Sequence, residues 1–568
     1  MSKKTKILGL CLLLAALGGI LLWTVLHGRS QTDIDGDKAL SQAGDATASA
    51  LEQLEHAETL LRDAESPSGK NETVDIRLSD DGITAPASVS IDQGILTITA
   101  PGTYTLTGSL SNGQVNVDCE GEVTLILSGV SVTDAEGPAI SIQSAEHVLV
   151  YLKENTENTL ISGIPCDIST VDTSSDEATG AALHSKVSLS IAGEGTLHVY
   201  GYINNGIATT DHLVLLGGSL NVTAAHHGLK GKDSVSMEGG DISILSGTDG
   251  IHSEGTITIS GGTLVADAGD DGVHADQVLT VSGGEITITR STEGLEAEKV
   301  YLTGGDININ ASDDGVNASG GDSSGDVMPG PFSSASTDAL IQIDGGTIYI
   351  QANGDGIDSN GDLIINGGYL VVDGPQGGGD SALDAATESN GVLVCNGGTV
   401  LAIGSSGMAS CFSDTSAQIS IHKIFNSLPA GTQIIITNGA GEVLMEHTAV
   451  KVFSSVLFSS PSLQEGDTVT ITAGEETATV DITGITNGDA GSSFGGNMGG
   501  FGAGGFGNGG FGGQGGPGMG GFGGFGGQGN QSTMPTPPNM DDSGNMQPPA
   551  NQEEPDAVSG ATSTGGKK

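Results

Sequence analysis

Apolar residues alternate with other residues over short segments through the middle of the chain. Ile257 and Ile259 are separated by one residue, and Leu264 and Ala266 repeat this spacing shortly afterwards. A period of two is the period of a β-strand. Glycines between the segments predict turns. The pattern therefore predicts many short strands, three in each repeating unit.

The central chain repeats every 22 residues, and two glycine markers keep this period in phase. The first marker is a glycine pair, at Gly217/Gly218, Gly239/Gly240, Gly261/Gly262, Gly283/Gly284, Gly304/Gly305, Gly345/Gly346 and Gly367/Gly368. The second is a glycine followed by Ile, Leu or Val, at Gly206, Gly228, Gly250, Gly272, Gly294, Gly315 and Gly356. Because such a unit cannot bury a hydrophobic face alone, the units must stack. We expect an all-β fold, a right-handed parallel β-helix with about 22 residues per coil.

The same pattern sets the domain boundaries. We assign residues 71–411 to the β-helix, with residues 320–338 as an outward loop insertion, because this stretch of polar and small residues lengthens one repeat. Residues 412–486 alternate without the glycine markers and predict a small C-terminal β cap over the last open strands. Residues 487–568, rich in Gly, Phe, Pro and Asn, predict a disordered tail.

The N-terminus has the pattern of a membrane anchor. Residues 7–26 carry no charge and follow Lys3, Lys4 and Lys6. About 20 residues of helix cross a bilayer, and the positive flank stays inside. We predict a single-pass signal anchor at residues 1–27 and a stalk with a short helix at residues 28–70, with the rest of the chain at the cell surface. A cleaved signal peptide is the alternative.

Charge excludes one class of partner. With 18 Lys and Arg against 69 Asp and Glu, the formal net charge is −51, which repels nucleic-acid phosphate. The cysteines have no metal-type spacing. Cys395 and Cys411 either form a disulfide in an oxidising compartment or remain buried free thiols.

Acidic residues recur next to the second glycine marker. Equivalent residues of stacked coils lie about 4.8 Å apart, so neighbouring carboxylates repel unless a cation lies between them. Oxygen-rich clusters suit Ca²⁺. The predicted metal ligands are Asp270, Asp271, Glu293, Glu296, Asp313 and Asp314, with Asp355 and Asp358 as a further site. The alternative is that each Asp-Gly serves only a turn, although turn chemistry requires neither Glu293 nor Glu296. Zinc at His252 and His274 fits less well, since the remaining ligands would be carboxylates.

Several segments together resemble a known family. They are TITAPGTY at residues 97–104, TLILSGV at 124–130, GLKGKD at 228–233, GSSGMA at 404–409 and the serial Asp-Asp-Gly-Val units. The chain from about Val74 to Ile485 resembles the bacterial cell-surface, carbohydrate-binding right-handed β-helix proteins described from clostridial relatives. The resemblance implies a fold akin to pectate-lyase-type polysaccharide lyases, bound calcium, and binding of cellulose or acidic sugars without demonstrated catalysis.

Three functions follow as expectations. The first is a membrane-anchored protein that binds cell-wall or plant-type polysaccharide with calcium on the β-helix. The second is a calcium-dependent lyase on polyuronates, in which Lys230 and Arg290 are the candidate bases that remove the α proton. The third is a structural adhesin or spacer that binds no glycan.

The tail carries a separate motif. The segment DAVSGAT at residues 556–562 resembles the acceptor motif of extracytoplasmic flavin transferases. The resemblance implies a flavin transferase as a partner and FMN attached to Thr562 through a phosphoester. An unmodified tail of small residues is the alternative.

Overall fold

The computed structural model describes residues 54, 56, 57, 59, 73–85, 89–171, 180–319, 338–387 and 390–491. The predicted anchor at 1–27 lies outside these residues, as do nearly all of the stalk, the insertion apart from Asp338, and the tail from residue 492. The described residues belong to one compact unit, Met1–Asn497.

The first strands begin the parallel arrangement, with β1 beside β4 and β4 beside β6. One antiparallel hairpin, β2–β3, lies among them. The strands are β1 (Val74–Leu78), β2 (Val89–Asp92), β3 (Ile95–Ile98), β4 (Gly102–Leu110), β5 (Gln114–Asp118), β6 (Glu122–Asp134), β7 (Ile140–Ser144), β8 (His147–Leu152) and β9 (Glu157–Ser162). A 3₁₀ helix, Ile168–Thr170, follows β9.

The central strands repeat in threes, and each strand from β10 to β18 pairs in parallel with the strand three elements later. The strands are β10 (Leu183–Ser185), β11 (Leu189–Gly193), β12 (Thr196–Gly201), β13 (Ile207–Thr209), β14 (His212–Leu215), β15 (Ser219–Ala224), β16 (Leu229–Gly231), β17 (Ser234–Met237), β18 (Asp241–Ser246), β19 (Ile251–Ser253), β20 (Thr256–Ile259), β21 (Thr263–Asp267), β22 (Val273–Ser291), β23 (Leu295–Ala311), β24 (Val316–Ala318), β25 (Leu340–Ile343), β26 (Thr347–Ala352), β27 (Ile357–Ser359), β28 (Asp362–Ile365), β29 (Tyr369–Asp373), β30 (Leu383–Ala385), β31 (Leu393–Cys395) and β32 (Thr399–Gly404).

The core is built from the alternating apolar positions. Ile257, Ile259, Leu264 and Ala266 are all fully buried. Equivalent residues of successive repeats pack on one another in a single continuous apolar cluster from Ile76 to Leu457. Since the side chains on the opposite face of each short strand point outwards, every repeat adds one residue to each of several outer rows.

The strand pairings form a closed ring, which corrects the fold prediction. Strand β6 pairs with both β8 and β9, and β22 pairs with both β20 and β21. The series β8–β11–β14–β17–β20 and β9–β12–β15–β18–β21 join these two long strands, and every pairing is parallel. The connectivity is that of a closed twelve-stranded parallel β-barrel. The prediction of a right-handed β-helix is therefore wrong.

The physical reason lies at the glycine pairs. The sequence pattern treats each pair as the end of a strand, but in β22 the chain passes through Gly283 and Gly284 without leaving the strand. Gly284 has a φ of 90°, which glycine adopts without strain, so the strand turns the corner and remains paired on both sides.

The C-terminal strands form two groups. They are β33 (Ser420–Leu428), β34 (Gln433–Thr437), β35 (Val443–Thr448), β36 (Phe453–Ser459), β37 (Thr468–Ala473), β38 (Glu476–Asp481) and β39 (Thr486–Gly488). β36 pairs antiparallel with β32, and so covers its open edge. β34, β35, β37 and β38 form a separate antiparallel sheet over a second apolar cluster that includes Phe453 and Phe458.

No helix in the described part of the chain is long and apolar enough to cross a membrane. The described residues therefore give no support to the predicted single-pass anchor, whose residues 1–27 lie outside them, or to the location at the cell surface that was predicted from it.

Candidate metal centre

Polar side chains follow one outer face of the short strands. The register places His252 beside His274, His274 beside Glu296 and Glu296 beside Asn317. The series extends to Lys230 on one side and to Asp358 and Asp384 on the other. We call this series, from Lys230 to Asp384, the strand row.

A second row runs along the turns three residues earlier. Each acid comes directly before a marker glycine, and the backbone N–H of the preceding marker glycine donates to its carbonyl oxygen, as from Gly250 to Asp271 at 2.8 Å. We call this series the turn row, and its members are Asp249, Asp271, Glu293, Asp314 and Asp355. Since the two rows are adjacent, carboxylates from both converge.

The first cluster joins Asp271 and Glu293 of the turn row to Glu296 of the strand row. Their ligand atoms all lie within 4.8 Å of one another. His274 lies against the same group, with Nδ1 2.8 Å from Asp271 Oδ2 and 2.9 Å from Glu296 Oε2. Asn317 donates from Nδ2 to Glu293 Oε2 at 2.9 Å, while its own Oδ1 is buried without a hydrogen-bond partner.

The carboxylates of this cluster lie close to one another and are largely buried, and both effects change their pKa values. Burial raises the pKa of Glu293, and the charge of Glu296 raises it further. Burial and the charge of Asp249 raise the pKa of Asp271 against the lowering effect of its His274 hydrogen bond. Burial opposes protonation of His274, but hydrogen bonds with Asp271, Asp276 and Glu296 hold its pKa above the ordinary value. His274 therefore supplies one positive charge to several carboxylates.

The second cluster is purely acidic. Asp355 of the turn row and Asp358 and Asp384 of the strand row bring their ligand atoms within 4.8 Å of one another. Burial and the charges of Asp358, Asp384 and Asp314 raise the pKa of Asp355 to about 8, although the Ser381 N–H donates to it. Burial likewise raises the pKa of Asp314 to about 6.

The structure brings together five of the eight predicted metal ligands, in two separate clusters. Asp314 bridges the clusters along the turn row, where its Oδ1 accepts from the Asp355 N–H at 2.6 Å. Asp270 and Asp313 belong to neither cluster. They precede turn-row residues in the chain, so they lie one position away from the converging side chains.

Two residues that lie in or against these clusters were not among the predicted metal ligands. His274 was considered only as a zinc ligand together with His252, and not as a partner of the carboxylates, although it lies one repeat before Glu296. In the repeat that contains Asp384, Ala382 stands in place of the marker glycine. The glycine period therefore did not predict Asp384. Its signal was the segment Leu383-Asp384-Ala385, which matches Ile357-Asp358-Ser359.

The candidate lyase bases lie apart from each other. Lys230 is in the strand row, two repeats from His274, and its side chain is 5% exposed, with Nζ 3.7 Å from Glu254 Oε1. Arg290 is an exposed residue that pairs with Asp267 at 2.6 Å, across strands β21 and β22. Of the two candidate bases, only Lys230 therefore belongs to the strand row.

Two remaining predictions concern other parts of the chain. Cys395 and Cys411 are both free, as are Cys119 and Cys166. Thr562, the predicted site of FMN attachment, lies outside the described residues, so flavinylation stays a prediction.

Comparison with known proteins indicates a broad class of similar proteins. Residues 92–339 match the family described as carbohydrate-binding domain-containing protein. A carbohydrate-binding domain-containing protein of Acetivibrio thermocellus is 33% identical over 138 residues, which are 24% of this chain and 47% of that relative. The chain thus spans about half the length of the curated relative that it matches.

A solved structure, the polysaccharide lyase-like protein from C. thermocellum in a gadolinium derivative, is 22% identical. The comparison covers 56% of this chain and 92% of that chain, with a TM-score of 0.27. This similarity is too low to define a shared fold. The family match over residues 92–339 therefore defines the likeness to carbohydrate-binding proteins.

Proposed function

We propose that this protein binds an acidic polysaccharide through Ca²⁺ ions held where the strand row and the turn row converge. The observation that carries the proposal is the convergence of Asp355, Asp358 and Asp384, three carboxylates within reach of one ion. The match of residues 92–339 to a carbohydrate-binding family supports carbohydrate as the ligand class.

The donor set suits calcium. Ca²⁺ takes six to eight oxygen ligands in flexible geometry, and both clusters are rich in carboxylate oxygen. The first cluster adds the buried Oδ1 of Asn317, an acceptor without a hydrogen-bond partner. A cation beside it would satisfy that oxygen and offset the repulsion between Glu293 and Glu296.

Charge favours an acidic rather than a neutral ligand for a calcium-dependent site. A chain with a net charge of −51 repels a polyuronate, and bound calcium reverses this locally by sharing its coordination between protein and sugar carboxylates. A calcium bridge makes the sugar's own carboxylates part of the coordination shell. Binding should therefore be lost in chelator.

The test uses the full chain with insoluble calcium–polygalacturonate and with cellulose. We expect co-sedimentation with the polyuronate in Ca²⁺ and none in chelator. The double variant Asp358→Asn/Asp384→Asn should weaken binding by roughly tenfold or more, because it removes two ligands of one ion. The control Asp241→Asn/Asp306→Asn makes the same change in charge at exposed positions outside the rows, and should bind as the unaltered chain does.

Four outcomes contradict this proposal. Binding that persists in chelator, or equal binding by both double variants, would show that the clusters do not carry it. Sedimentation with cellulose alone would indicate a neutral-glycan binder. Rising ultraviolet absorbance from unsaturated products would indicate a lyase, in which Lys230 is the base to replace.

A further inference from the structure

Two histidines converge on one carboxylate oxygen at the start of the rows. Oδ2 of Asp249 lies 3.1 Å from Nδ1 of His227 and 2.8 Å from Nδ1 of His252. The three ligand atoms all lie within 4.8 Å of one another. The two imidazole rings are stacked, with centroids 4.2 Å apart.

The fold holds these three groups in place. The other oxygen of Asp249, Oδ1, accepts from the backbone N–H of Asp271 at 3.2 Å, which fixes the carboxylate with Oδ2 directed at the imidazoles. His227 and Asp249 occupy successive turns, and His252 extends from β19. The side chains of His227, Asp249 and His252 are 8%, 7% and 14% exposed.

We propose that His227, Asp249 and His252 form a site for Zn²⁺ or a similar borderline divalent metal. This site shares no ligand with the acidic clusters, although ligand atoms of Asp249, Asp271 and His274 also lie within 4.8 Å of one another. In tetrahedral zinc coordination the bonds are about 2.0–2.1 Å, so ligand atoms lie about 3.3 Å from one another. The distances of 3.1 and 2.8 Å from Asp249 Oδ2 to the two imidazole nitrogens differ from that value by about 0.5 Å or less. Two imidazole nitrogens and one carboxylate oxygen bind zinc in catalytic sites, which leave a fourth position open.

The chemistry separates this site from the clusters farther along the rows. Imidazole nitrogen is a ligand for zinc, copper and nickel, whereas calcium prefers oxygen alone. Both His227 and His252 bind through Nδ1, so in the loaded state each neutral ring carries its proton on Nε2. The Thr248 hydroxyl, 3.0 Å from His227 Nδ1, gives up that contact when the metal binds.

The test is a titration of the chelator-treated full chain with Co²⁺ and then Zn²⁺, in excess Ca²⁺ so that oxygen-rich sites are filled. We expect one Co²⁺ per chain with the intense visible absorption of tetrahedral cobalt, and its loss when Zn²⁺ is added. His252→Ala and, as a near-isosteric change, Asp249→Asn should each weaken zinc binding by about 100-fold or more, since removal even of second-shell partners costs about 10–100-fold.

The matched control is His198→Ala, which removes a histidine from an outer face of β12. It should bind zinc with unchanged affinity. Far-ultraviolet circular dichroism of each variant shows whether the fold is intact. The proposal is overturned if the unaltered chain binds no metal, or if zinc binding survives in Asp249→Asn. It is also overturned if zinc binding disappears in Glu296→Gln instead, which would place the ion in the first acidic cluster.

Discussion

At the scale of single residues, buried histidines make stability depend on pH. His147 lies on β8, with Nε2 2.8 Å from Ser190 Oγ and with Nδ1 buried without a partner. Burial, with the nearby His56 and His212, lowers its pKa to about 3. The unfolded residue has a pKa of about 6.5, so the unfolded chain binds more protons between these values. The contribution of His147 to stability is fully present above pH 6.5 and is lost as the pH falls towards 3.

We therefore predict that His147→Gln reduces the loss of stability on acidification. Gln keeps a hydrogen-bonding group for Ser190 but does not titrate. Between about pH 7.5 and 4.5 the unfolding free energy from urea titration should fall less than in the unaltered chain, by on the order of 2 kcal/mol. The comparison variant His198→Gln should follow the unaltered chain. Identical pH dependence in all three proteins would show that His147 is not held neutral.

The residue types in the sequence predicted where the candidate site lies, but not which residues belong to it. The recurrence of acids before the marker glycines predicted that Asp271, Glu293 and Asp355 lie in one row, and backbone hydrogen bonds between successive turns place all three in the turn row. It did not reveal that His274 sits between Asp271 and Glu296, because the protonation of a histidine depends on which groups surround it in space. Asp249 was likewise not among the predicted metal ligands, and its contacts with His227 and His252 are visible only in the folded chain.

At the scale of elements, the second glycine marker is explained by close approach of neighbouring turns. A Cβ on Gly272 would lie 2.6 Å from the carbonyl oxygen of Gly294, and one on Gly250 would lie 2.5 Å from that of Gly272. The same clash recurs along the markers, because each turn stacks directly on the next. Glycine holds this position from Gly206 to Gly356, whereas alanine takes the equivalent place at the ends of the series, at Ala182 and Ala382.

We predict that Gly272→Ala destabilises the protein by about 1–3 kcal/mol, since the closest clashing atom is backbone and can move only by shifting the next turn. Two side-chain carbons of Ile288 would also lie 2.8 Å from the added Cβ. The urea midpoint should fall accordingly. Gly379→Ala is the matched control, because a Cβ there has nothing within 4 Å. A Gly272→Ala midpoint equal to that of the control would mean that the turns separate at little cost.

The sequence predicted the period of the strands, but it did not predict that the strand pairings close into a ring. Alternation and glycine spacing gave three strands per repeat and the buried positions Ile257, Ile259 and Leu264. Whether a strand ends at a glycine pair or continues through it depends on pairing with both neighbouring strands. That pairing is a property of the assembled sheet, as the uninterrupted course of β22 through Gly283 and Gly284 shows.

At the scale of the whole molecule, the net charge of −51 opposes compactness, and carboxylates concentrated in two rows intensify the effect. Any salt screens the general repulsion, whereas only a specifically bound cation relieves the converging groups. An ion that binds the folded chain stabilises it by about 2.7 kcal/mol per site when its concentration is about 100 times Kd. Calcium should therefore raise the unfolding temperature more than sodium does at equal ionic strength.

This prediction is checked by thermal unfolding of the full chain in chelator, NaCl, MgCl₂ and CaCl₂. We expect calcium to give the largest increase, because Mg²⁺ demands near-octahedral geometry and gives up its water reluctantly. Asp358→Asn/Asp384→Asn should show a smaller calcium-specific increase, yet a higher unfolding temperature in chelator, since it removes the repulsion around Asp355. Asp241→Asn/Asp306→Asn should retain the full calcium increase. Equal increases of the unfolding temperature in sodium and calcium would contradict specific calcium binding. The acidic residues would then serve only the turns and carry solvated charges.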